Sequence, residues 1–167
     1  MEYLNKIKKI IKENSLDKIW IPGVVETDIE IADVIKDTNY IYLELGDWFI
    51  KLEAIESYGK IEVTISKEFI YEVDLDEKLI KVDVSDIVFT NPLATNRINN
   101  IGFTNIDIHE DKIICDVLHL KLEQQDDIFI DPSFCGINIG NIKQKTFWLD
   151  NLLYINKKPL EIKELWI

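Results

Sequence analysis

Apolar positions recur along this chain with two different periods, and the change from one to the other organises it. Between residues 2 and 14, Leu4, Ile7 and Ile11 fall at i, i+3 and i+7 with Ile10 beside them, while Lys6, Lys8, Lys9 and Lys12 point away. That spacing predicts an amphipathic helix with one face on a core. Trp20-Ile21-Pro22-Gly23 interrupts the pattern, and from Val25 the period is two. Val25, Thr27, Ile29 and Ile31 alternate with Glu26, Asp28 and Glu30, as the two faces of a half-buried strand do.

The same alternation predicts further strands. Asp37-Thr38-Asn39 reads as a turn; Ile41, Leu43 and Leu45 then share one face of a strand over 40–45, and Gly46-Asp47 turns the chain into a second strand over 48–56, together a hairpin. After Ser57-Tyr58-Gly59-Lys60 come Ile61, Val63 and Ile65, then Phe69, Tyr71, Val73 and Leu75, then Ile80, Val82 and Val84. The asparagines and proline of 90–100 predict a long loop. Segments 103–108 and 113–122 read as a hairpin across His109-Glu110-Asp111-Lys112, although Ile114, Val117, Leu118 and Leu122 also satisfy helical spacing with Asp111 as a cap. A strand at 128–130 ends at Asp131-Pro132, and 152–155 and 160–165 flank the turn Asn156-Lys157-Lys158-Pro159.

Short strands with no long helices between them predict an antiparallel sheet, not a parallel one. The expected fold is mainly β, with a helical share that could bring it to α+β. It takes the form of a sandwich or a strongly curved sheet carrying an N-terminal helix over about 2–14. A β-rich body over about 20–167 completes one domain spanning 1–167, in keeping with a chain of 167 residues.

Composition narrows the function. With 19 Lys+Arg against 31 Asp+Glu the formal charge is −12, which disfavours nucleic acid and anionic membranes as partners. No window of about 18 apolar residues occurs, and lysines break up the apolar pairs of the N-terminus, so neither a membrane span nor a signal peptide is expected and a cytoplasmic location is. Arg97 is the only arginine while lysine, isoleucine and asparagine abound, the usage of an AT-rich, for example bacterial, genome. Cys115 and Cys135 are too few for a disulfide framework and read as buried thiols.

Catalytic and metal motifs are not found. On a strand Cys115 and His119 lie about 13 Å apart, too far to share a zinc, and His109 adds no paired spacing. Nucleophile elbows and phosphate-binding glycine loops do not occur. The carboxylates of Asp74-Leu75-Asp76-Glu77 and of Asp126, Asp127 and Asp131 lack the glycine and terminal glutamate of a calcium loop, and read as solvated turns. No metal or cofactor is expected, and an enzyme built from convergent carboxylates is the least supported class.

What remains is the acidic stripe Glu26, Asp28, Glu30 and, on the next strand, Tyr40 and Tyr42 beside Glu44. Carboxylates next to exposed tyrosines suit an interface, although a charged outer face also protects an edge strand. The leading expectation is a non-enzymatic acidic protein that binds a basic protein partner through these six residues. By analogy of size and charge, its concrete form is an immunity- or antitoxin-type inhibitor of a toxin. The alternative is a β-sandwich or barrel that binds a small molecule or carbohydrate, with Trp20, Trp48, Trp148 and Trp166 as its aromatic surface.

Overall fold

The computed structural model describes residues 2–26, 33–57, 59–75, 77–133, 136–156 and 162–167. Helix α1 (Glu2–Glu13) buries Tyr3, Ile7, Ile10 and Ile11 and leaves its four lysines in solvent, the face its spacing predicts. Asn14 closes it by donating from Nδ2 to the Ile10 carbonyl at 2.8 Å.

The strands follow as β1 (Lys18–Glu26), β2 (Asp33–Lys36), β3 (Tyr40–Leu45), β4 (Trp48–Ile55), β5 (Lys60–Ser66) and β6 (Lys78–Asp83). After the single turn α2 (Ser85–Val88) come β7 (Ile98–Thr104), β8 (Asp107–Ile108), β9 (Ile113–Cys115), β10 (Val117–Leu122), β11 (Ile128–Ser133) and β12 (Gly136–Gly140). Helix α3 (Ile142–Asn156) and β13 (Glu164–Trp166) complete the order. The strands form two antiparallel sheets. One runs β2-β1-β3-β4-β5-β9-β8 with β6 also on β1; the other runs β12-β11-β10-β7-β13. Residues of both sheets and of α1 meet in one apolar cluster that includes Ile7, Leu43, Leu52, Val63, Phe103, Leu118 and Ile130. The fold is therefore mainly β with an N-terminal helix, as expected, and its sheets share a core without either one closing or curling strongly. Each fully buried aliphatic side chain there, such as Leu52 or Leu118 at 0% exposure, contributes about 1.5–3 kcal/mol relative to exposure.

Alternation places the faces correctly in the hairpin of β3 and β4. Ile41 lies opposite Leu52 and Leu43 opposite Ile50, all buried, and Gly46 takes φ +57° in the turn between them, a conformation that glycine adopts without a steric cost. Tyr40, Tyr42 and Glu44 consequently point to the outer face of the first sheet.

Four expectations are corrected. Trp20-Ile21-Pro22-Gly23 does not break the chain but runs inside β1. Pro22 is tolerated because its carbonyl, and hence its missing amide, faces the place where β1 exchanges β3 for β2 as its neighbour, and there Asp37 N bonds the Pro22 carbonyl at 2.9 Å. Residues 69–75 are not a strand; they cross the outer face of the first sheet and are held by side chains. The hairpin expected across 103–122 does form, in one antiparallel register, with β8 on β9 in the first sheet and β7 on β10 in the second. The strand at 128–130 continues through Pro132 to Ser133, where its partner is β12 alone. Residues 152–155 belong to α3, whose start is marked by Asn141, its Oδ1 accepting the Lys143 amide at 2.9 Å. The alternation read over 27–31 lies outside the described residues. No helix among those described is long and apolar enough to cross a membrane.

Candidate functional site

Crossing from β5 toward β6, residues 67–75 turn the outer face of β3 into a site. Phe69 stacks on Tyr42 with centroids 4.1 Å apart, and the Tyr42 hydroxyl donates to the Ile70 carbonyl at 2.5 Å. Tyr42 is therefore buried, at 1% exposure, which corrects the expectation of an exposed tyrosine at this position. Tyr40 stays half-buried. Its ring meets that of Tyr71 edge-on at 5.5 Å and 81°, and the Tyr71 hydroxyl donates to Asp37 Oδ2 at 2.9 Å. The other Asp37 oxygen accepts the Asn39 amide at 3.0 Å, so the turn that joins β2 to β3 also orients this carboxylate.

Asp37, Tyr40, Tyr42, Lys51, Ile70, Tyr71 and Glu72 line a pocket of about 270 Å³. Two carboxylates there face one ammonium, and Lys51 is already engaged by Glu53 at 2.7 Å and lies 5.5 Å from the Tyr40 ring centroid. The field is negative. Burial pushes the Tyr71 hydroxyl up to about 12, with its bond to Asp37 and the charges of Asp37 and Glu77 adding to the effect. Burial likewise raises Tyr40, reinforced by Glu53, Asp37 and Glu72. Aromatic rings beside uncompensated carboxylates are the groups that recognise a guanidinium or ammonium.

The structure distributes the six expected site residues unevenly. Tyr40 and Tyr42 form the wall and the floor of the pocket. Glu44 lies on the same face but accepts the Trp20 indole N–H at 2.5 Å. Glu26 is exposed at the end of β1, directly opposite Asp33 of β2. Asp28 and Glu30 lie outside the described residues. Sequence reasoning missed Asp37, Lys51, Tyr71 and Glu72. Asp37 was legible only as a turn residue, and nothing local joins it to Tyr71, which reaches it through the crossover.

The other candidate groups are dispersed. Cys115 is buried in β9 and burial pushes its thiol up, whereas His119 belongs to the second sheet, its Nε2 2.9 Å from Asp127. His109 is exposed beside Asp107 at 3.2 Å. Cys135 lies outside the described residues, among which no group of three or more His, Cys, Asp or Glu is placed to hold a metal. Asp131 is not in a solvated turn but buried, accepting from Gln144 Nε2 at 2.8 Å; burial raises its carboxyl against the Gln144 and Asn138 hydrogen bonds. The tryptophans do not converge. Trp20 is bonded to Glu44, Trp48 lies between Lys6 and Lys67, and Trp148 and Trp166 lie near Phe129 and His119 on the second sheet. No protein-family model, no curated protein and no solved structure matches the chain.

Proposed function

We propose that this protein is a non-enzymatic binding protein whose acidic, tyrosine-walled outer face takes a basic protein partner. An arginine or lysine of that partner would sit between Tyr40, Tyr71, Asp37 and Glu72. The observation that carries this reading is the pocket itself, where two aromatic walls and an excess of carboxylate face solvent. Its size supports a single side chain over a free ligand, since 270 Å³ falls below the about 300–1,000 Å³ of small-molecule sites. Glu26 facing Asp33 at the far end of β2 adds to the acidic surface, because like charges directly opposite destabilise a sheet and a cationic partner relieves that repulsion. The net charge of −12 would steer such a partner over a longer range. An inhibitor that neutralises a cationic toxin is the concrete form of this function, by analogy of size and charge.

The test is affinity capture from the source lysate, with the wild type compared against Glu72→Lys, an exposed change, and against the triple change Glu26→Lys, Asp28→Lys, Glu30→Lys. The expected result is a basic protein held by the wild type, released near 1 M salt, where the Debye length is about 3 Å, and missed by Glu72→Lys. Loss with the triple variant as well extends the interface to the hairpin. A partner that both variants retain, or one indifferent to salt, overturns the proposal.

A further inference from the structure

On another part of the surface the sign of the charge reverses. Lys8 and Lys12 of α1 face Arg97, Ile98 and Asn99 across a pocket of about 470 Å³ that also includes Ile11 and Ile167. Ile11 and Ile98 are buried, at 5% and 3% exposure, so the floor is apolar and the cations stand at its rim. The frame is fixed by backbone bonds. Leu16 N donates to the Asn96 carbonyl at 3.0 Å, Glu123 N to the Arg97 carbonyl at 2.8 Å, and Ile101 and Ile167 exchange two bonds of 3.0 and 2.9 Å.

The charged side chains at the rim are all of one sign. Carboxylates outnumber cations 31 to 19, and Lys18, Lys51, Lys112 and Lys145 each find one. The side chains of Lys8, Lys12 and Arg97 form no ion pair or hydrogen bond among the described residues. Three like charges around one apolar hollow repel each other, and an anion placed among them removes that cost. The hollow itself has the volume of a small-molecule site, and an aliphatic body lying on Ile11, Ile98 and Ile167 would bury apolar surface.

We propose that this pocket binds a small amphiphile with an anionic head and an aliphatic body, the head held by Arg97, Lys8 and Lys12. The site is separate from the acidic pocket, and its ligand is of the opposite charge, so either reading can fail without the other.

Calorimetric titration of the full chain with octanoate, octanol and acetate at about 0.1 M salt, where rim charges still act, provides the test. Octanoate is expected to bind at least about tenfold tighter than octanol or acetate. Arg97→Gln should weaken it by about tenfold, one decade in Kd, without lowering the melting temperature, because the residue is exposed. Amide shifts on octanoate addition should centre on Ile98, Asn99 and Ile167. Octanoate without saturable binding, octanol or acetate binding as well as octanoate, an unaffected Arg97→Gln, or shifts centred elsewhere would each overturn the proposal.

Discussion

Asp83 shows how much one side chain can join. Its Oδ1 accepts from the Ser85 amide at 3.0 Å and from the Ser85 hydroxyl at 2.5 Å, its Oδ2 takes the Lys18 ammonium, and Ser85 Oγ in turn accepts the Ile19 amide at 2.8 Å. β6, α2 and β1 are thus tied by one carboxylate. Burial pushes Asp83 up, but the donations from Lys18 and Ser85 outweigh it and hold the carboxyl at about 2, below the usual 3.8. A carboxyl depressed by folding contributes stability that is in place above its unfolded value and is lost as pH falls toward its folded one. Asp83→Asn should therefore lower stability near pH 6, with the difference from wild type shrinking between about pH 4 and pH 2. Urea titrations of both proteins across that range check this, and a constant difference would show that the clip acts by shape and not by charge.

Element by element, β13 is a short attachment, three residues laid along β7. Trp166 passes over Gly102, where a Cβ would meet three indole atoms at 2.9 Å, and its ring meets His119 edge-on at 5.0 Å. Gly102→Ala must displace the indole, at a cost of about 1–3 kcal/mol. Faster hydrogen exchange at Ile167 and Ile101 and altered tryptophan fluorescence are the expected signs; unchanged exchange would mean that β13 is held by its backbone bonds alone. The contrast with β3–β4 explains what the sequence could convey. That hairpin was legible because its determinants are local: alternating Ile41, Leu43 and Leu45, then Gly46 in the turn. Residues 69–75 carry the same alternation, yet Phe69 and Tyr71 spend it on Tyr42 and Tyr40 and not on a strand partner. The acidic face of β3 could thus be anticipated at Tyr40 and Glu44. The burial of Tyr42 and the arrival of Tyr71 at Asp37 could not, since both depend on where a crossover comes to rest. α3 was misread because only Asn141 announced it, and its apolar residues fit no clear stripe.

For the molecule as a whole, charge is both polarised and in excess. Helix α1 carries four lysines and two glutamates, a net +2, which leaves −14 on the remainder of a chain of net −12. The compact state holds these like charges closer together than the unfolded chain does, so self-repulsion subtracts from stability. Screening should return part of it: raising sodium chloride from about 0.05 to about 0.5 M shortens the Debye length severalfold and should raise the melting temperature at pH 7. The gain should disappear near the isoelectric point of about 4.6, where there is no net charge to screen, and that control separates repulsion from any general effect of salt on apolar burial. The same salt should weaken a cationic partner at the Tyr40–Tyr71 pocket, so free protein and complex would respond in opposite directions. A melting temperature that stays level or falls with salt at pH 7 would mean that pairs such as Lys51–Glu53 and Lys112–Glu62 outweigh the excess charge, and that the negative field is too well compensated to steer a partner.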